Sequence, residues 1–175
     1  APDLVKRGFK VNAPNTIWVG DMTALRTKEG WLHLAIVLDL YARRVVGWSL
    51  DKTQATTLPM AAFNMALAQR KPNAGLIFHS DQGTVYASHD YRGLLQAHGV
   101  LPSMSRKGNC HDNAVAESFF SNLKNEIMHD RLFGSRDEAK AAVSNYIEVY
   151  YNRQRLHQTL GYQTPVAVEA AFRCA

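Results

Sequence analysis

Between Thr16 and Leu50 the chain reads as three strands joined by connections too short to carry a helix, and nothing else in its 175 residues limits the fold as much. In Thr16–Arg26 the side chains alternate: Ile17, Val19, Asp21, Thr23 and Leu25 fall to one side, Trp18, Gly20, Met22 and Ala24 to the other. Thr27–Gly30 is a turn, Trp31–Leu40 a second strand with a nearly continuous apolar run, and Tyr41-Ala42-Arg43 leads into a third strand, Arg44–Leu50. Connections this short force antiparallel neighbours, so the three make a meander. Downstream the period changes. A helix is predicted over Thr56–Arg70, a short buried strand over Leu76–His79, a helix over Ser88–His98 and a fifth strand over Val100–Met104. Further helices follow from near Asp112, over Ser135–Tyr151 and over Pro165–Phe172. The order βββ-α-β-α-β-α-α-α predicts an α/β fold with a mixed five-stranded sheet, three strands antiparallel and two parallel, flanked by helices. Residues 1–15, polar with Pro2 and Pro14, read as an N-terminal arm or linker; residues 16–175 read as one domain with a C-terminal helical segment.

Composition narrows the class. A hydrophobic share of 46% with 20% charged residues is that of a globular protein, and runs such as Leu34–Leu38 are too short to span a bilayer. No apolar segment opens the chain as a secretory signal does, and the missing initiator Met points to a processed product or an excised domain. Cys110 and Cys174 stand apart without a CxxC or Cys/His cluster, which fits neither a disulfide framework nor a structural zinc site and favours a reduced, cytosolic compartment. A net charge of +5 suits a polyanionic partner.

The chemistry concentrates in Ser105–Lys124. A polar loop from Ser105 to His111 runs into a helix with Asp112 as its expected N-cap. Val115, Phe119, Leu123 and Ile127 form its apolar stripe, leaving Glu117, Ser121 and Lys124 on the polar side. Two more carboxylates stand at telling places. Asp21 lies inside an apolar strand, where an ionised group is costly without a partner or a metal. Asp81 lies just past the end of a buried strand, where open α/β sheets place ligand-binding groups. Three oxygen donors without a Cys or His cluster favour a hard cation, Mg²⁺ or Mn²⁺. Two such ions can neutralise the charge that develops when a phosphodiester is attacked. Taken singly, each acid also has a plain structural reading: a strand-edge Asp, an Asp-Gln-Gly turn, a surface Glu. Asp39 is expected to pair with Arg43 or Arg44, and Trp18, Trp31 and Trp48 to be core. Asn109 and Asn113 flank His111 and could reach a nucleotide. His157, with Arg153 and Arg155, makes a basic cluster that either touches DNA phosphates or ties the last helices to the core.

Trp18-Val19-Gly20-Asp21-Met22-Thr23, His79-Ser80-Asp81-Gln82-Gly83 with Tyr86, and Gly108, Asp112-Asn113-Ala114 and Glu117-Ser118-Phe119-Phe120 stand in order, with 35 residues between Asp81 and Glu117. They resemble the three acidic motifs of bacterial insertion-sequence transposases in the retroviral-integrase-like superfamily. Tyr151-Asn152, Arg155, His157 and Leu160-Gly161-Tyr162-Gln163-Thr164-Pro165 are similar to that family's C-terminal segment. The resemblance implies an RNase H-like catalytic core with Asp21, Asp81 and Glu117 as catalytic, metal-binding triad and two Mg²⁺ or Mn²⁺ ions. It implies hydrolysis at the element's ends to give a 3′-OH, then strand transfer into target DNA. The partners implied are double-stranded DNA (terminal repeats and target) and further copies of the chain assembled on it, in the bacterial cytoplasm at the nucleoid, with no membrane. Lys124, seven residues past Glu117, would contact DNA, with Ser121, Asn109, Asn113, Arg155 and His157 as further contacts. The alternatives are an RNase H-like nuclease and a non-catalytic DNA-binding or assembly module of the same fold.

Overall fold

A computed structural model of the chain describes residues 1–6, 11–106, 113–129 and 131–174. Its strands are β1 (Ile17–Thr27), β2 (Gly30–Asp39), β3 (Arg44–Asp51), β4 (Ile77–Ser80) and β5 (Leu101–Met104). They form one sheet in the order β3-β2-β1-β4-β5. The β1–β2 and β2–β3 pairs are antiparallel and the β1–β4 and β4–β5 pairs parallel, so the expected mixed sheet is the one observed. The meander places β1 at the centre, hydrogen-bonded on both sides.

Helices α1 (Thr57–Arg70), α2 (His89–Ala97), α3 (Ala114–Ile127), α4 (Arg136–Asn145) and α5 (Pro165–Arg173) cover the sheet. The alternation along β1 divides the core in two. Ile17, Val19 and Leu25 meet Ala116, Phe119, Phe120 and Leu123 of α3 and Ala139 and Val143 of α4. Trp18 on the opposite face meets Leu58, Ala62, Phe63 and Ala66 of α1 and Tyr91 and Leu95 of α2. Side-chain oxygens start three of the helices: Ser88, Ser135 and Thr164 accept from the N–H groups of Tyr91 (3.2 Å), Glu138 (3.0 Å) and Ala167 (3.2 Å). The arm packs on the domain, with Val5 buried and the Met104 N–H donating to the Pro2 carbonyl.

Several expectations need correction. The predicted helix over Ser135–Tyr151 is two pieces, α4 and a π-helical stretch Tyr146–Tyr151. The wider turn brings Tyr146, Ile147 and Tyr151 onto the core beside Phe119. Trp31 is not core: it is 52% exposed, under the guanidinium of Arg26. Trp48 is half-buried and donates from Nε1 to Glu148 at 2.7 Å. Asp39 does not pair with Arg43 or Arg44; it accepts from Arg70 of α1 at 3.2 Å and from the N–H groups of Asn15 and Tyr41. The cap expected at Asp112 lies outside the described residues. Among the described residues no helix is long and apolar enough to cross a membrane.

Candidate active site

The register of the parallel pair assembles the acids. β4 runs beside β1 with Ile17, Trp18 and Val19 opposite Ile77, Phe78 and His79. Continuing that step sets Asp21 opposite Asp81, where β4 has ended and its backbone turns away. The approach of the strands is tight: a Cβ on Gly20 would stand 2.2 Å from the Phe78 ring. Asp21 shares the face of Ile17 and Val19, the side on which α3 packs, and α3 carries Glu117. Asp81 and Asp21 are half-buried and Glu117 is exposed.

Local bonds fix the first two carboxylates. Asp81 Oδ1 accepts from the Gly83 N–H at 2.8 Å, an Asx turn that holds the group at the strand end. Asp21 Oδ1 accepts from the Met22 N–H at 2.8 Å. Burial pushes the Asp21 carboxyl up to about 7; the Met22 N–H opposes this, the charges of Asp81 and Glu117 add to it, and the Asn113 amide opposes it. Three acids therefore feel one another, and the leading charged neighbours of Asp21 are both carboxylates. Tyr86 closes the opposite side of this end of the sheet: its phenol is buried, and desolvation with the charges of Tyr91, Asp21 and Asp81 pushes it well above its usual range.

An all-oxygen set in which one member is strained by its own charge suits a hard cation. Among the described residues, however, no three carboxylate, imidazole or thiol groups are gathered closely enough to hold one ion.

The remaining expected site residues are divided between surface and interior. Ser121 is exposed and Lys124 half-buried on α3. Asn113 is only 5% exposed at the start of α3, and its amide serves the Asp21 carboxylate. Arg155 donates from Nε to Glu126 at 2.8 Å, and Glu126 also takes the Tyr146 hydroxyl. His157 is 6% exposed, its ring edge-on to Tyr151 and its backbone N–H donating to the Gln163 carbonyl. It thus packs the C-terminal segment to the core, one of the two roles open to it. Asn109 and His111 lie outside the described residues. The support that Asn113 gives Asp21 was not legible in the chain order; the Asp-Asn-Ala run marks the position, but only the fold shows which group it reaches.

The chain matches the family model described as Integrase core domain over residues 11–110, and a second model of the same description over residues 98–165. It is 46% identical over 167 residues to the transposase InsF for insertion sequence IS3A of Escherichia coli, covering 95% of this chain and 58% of the relative. It is 44% identical over 164 residues to the transposase for insertion sequence element IS904 of Lactococcus lactis, covering 94% and 65%. A 31 kDa protein of insertion element IS600 from Shigella sonnei is 46% identical over 173 residues, 99% of this chain and 62% of that one. The chain thus spans about three fifths of the length of these relatives. Among solved structures, the HTLV-2 integrase catalytic core domain in complex with magnesium superposes with a TM-score of 0.67 at 17% identity, covering 90% of this chain and 97% of that one. A simian T-cell lymphotropic virus intasome superposes with a TM-score of 0.73 at 16% identity, covering 91% and 56%. The sheet order and helix placement are those of the RNase H-like fold these structures share.

Proposed function

Because the chain belongs to the integrase core domain family, we propose that it is the DNA-cleaving and strand-joining core of an insertion-sequence transposase, with Asp21, Asp81 and Glu117 as its metal-holding triad. The observation that carries this reading is the Asp21 carboxyl, buried on the central strand and pushed up to about 7, with Asp81 and Glu117 among the causes. A protein keeps such a group at a cost unless a cation relieves it. Mg²⁺ or Mn²⁺ held by the three acids, two ions in all, would neutralise the attacking and departing oxygens of a phosphodiester.

The side chains have distinct tasks. Asp21 on the central strand, Asp81 held by the Gly83 N–H, and Glu117 exposed on α3 would hold the ions, which would supply charge neutralisation at the reacting phosphate. Asn113 orients the Asp21 carboxylate through its amide. Lys124, two turns along α3, draws in a DNA phosphate. In the first step a water oxygen bonds to phosphorus and the bond to the element's 3′ oxygen breaks, leaving the 3′-OH on the element and a 5′-phosphate on the flank. In the second the 3′ oxygen bonds to a target phosphorus in line, and the target's own 3′ oxygen leaves. The partners are the element's terminal duplex, the target duplex and further copies of the chain on DNA. The relatives' names support this reading, two of them being transposases.

The test is Mg²⁺- or Mn²⁺-dependent nicking and joining of a labelled duplex carrying an element end, with Asp21→Asn, Asp81→Asn and Glu117→Gln beside the wild-type chain. All products should vanish in each variant while the far-ultraviolet circular dichroism stays unchanged. Products that persist in any of the three, or a wild-type chain that binds neither ion by calorimetry, overturn the triad.

A further inference from the structure

At the far end of α3 from the acids lies a groove of about 720 Å³. Arg26 from the end of β1, Lys124 from α3 and His129 and Arg131 from the segment after it line its walls, over Met128 and Leu132. Among the described residues no carboxylate lines it, and none of Arg26, Lys124 and Arg131 takes part in an ion pair with a described residue. Asp130 lies outside the described residues. Two of the cations are held in place by rings: Arg26 stands 5.8 Å from the centre of Trp31, and Arg131 stands 5.4 Å from that of Phe133. A ring face fixes a guanidinium without neutralising it, so the N–H edges remain available. Like charges brought together without counter-charges repel, and an anion in the groove removes that cost.

The groove continues the polar side of α3 that carries Glu117, Ser121 and Lys124. With a rise of 1.5 Å per residue, Lys124 stands about 10 Å along the axis from Glu117 and the end of α3 at Ile127 about 15 Å. Successive phosphates on one DNA strand are about 3.4 Å apart along the duplex axis. We propose that this groove holds backbone phosphates of a duplex lying along α3, about three to four nucleotides from the phosphodiester that reacts beside Glu117. This rests on the functional reading above and adds the path of the DNA across the domain. Contacts to phosphates position a duplex, so the groove adds affinity and register.

The test uses the 175-residue chain and a short blunt duplex, with binding followed by fluorescence anisotropy across a salt series. Arg26→Ala and Arg131→Ala should each lower the slope of log K against log salt by about one and weaken binding about tenfold at low salt. Asn125→Lys, at an exposed position on the rim, should raise the slope by about one, a gain that misfolding does not imitate. Replacing single phosphates by methylphosphonates about three to four nucleotides from the reacting bond should weaken wild-type binding and leave the two arginine variants little changed. Unchanged slopes in all three variants, with wild-type binding intact, overturn the groove and leave the acidic triad standing. Nicking that persists in the triad variants, tested separately, overturns the functional reading. A wild-type chain that binds no duplex at low salt overturns both.

Discussion

A carboxyl group that half holds its proton near neutral pH opposes folding whenever it is made to ionise. Asp21, raised from 3.8 to about 7 first by burial, is such a group. Between those two values the folded chain holds a proton that the unfolded chain has released, so stability falls as pH rises through that window and stays at its lower level above it. The full shift corresponds to about 4 kcal/mol at about 1.4 kcal/mol per unit; partial solvent access reduces the expected effect to roughly 2 kcal/mol. In metal-free buffer at pH 8, Asp21→Asn should therefore be more stable than wild type by roughly 2 kcal/mol in urea melts, with the gap closing toward pH 4. Mg²⁺ should raise the melting temperature of the wild type and not of the variant. A variant that is less stable than wild type at pH 8 would show that Asp21 is not under strain. Asn113 acts against that strain through its amide, while its own Oδ1 is buried without a partner among the described residues.

At the scale of elements, the site depends on how closely β1 and β4 approach. Gly20 is required because the Phe78 ring occupies the space a Cβ would take. Gly20→Ala should cost about 3 kcal/mol by overpacking, and Phe78→Leu in the same chain should recover part of it; a double variant no more stable than Gly20→Ala would count against this account. The strands themselves were plain in the sequence, because alternation along Ile17–Leu25 and short turns leave few arrangements, and the three acids could be named from motif spacing. What was not legible depended on contacts between distant residues. The need for Gly20 comes from the Phe78 ring on another strand, Asp39 finds its partner on α1 instead of at Arg43 or Arg44, and Trp31 lies at the surface under Arg26. The π turn at Tyr146–Tyr151 leaves the same apolar pattern as an α-helix over so few residues.

On the scale of the whole molecule, one polar cluster joins parts far apart in the chain. Glu169 of α5, 2% exposed, accepts from Arg44 at 2.8 Å and from Arg70 at 2.8 and 2.5 Å, while Arg70 also reaches Asp39 and Asn15. Despite burial, the arginines hold the Glu169 carboxyl below its ordinary value. Its contribution is present above that ordinary value and is lost as pH falls through the lowered one. Glu169→Gln should cost about 3 kcal/mol, because the buried Arg70 guanidinium is left with Asp39 alone and the half-buried Arg44 loses its carboxylate partner. It should also speed proteolysis ahead of α5, and equal cleavage rates would mean that α5 is held by other contacts. The same C-terminal region closes the sheet. β3 is an outer strand, and the outward N–H and C=O of Val45 are both taken by the Asn152 side chain at 3.0 Å. β5 is the other outer strand, and the Met104 N–H is taken by Pro2. Each margin is thus interrupted where the chain's own ends bind it, which blunts it as a template for a further strand. An interrupted margin disfavours growth of the sheet from copy to copy into a fibre.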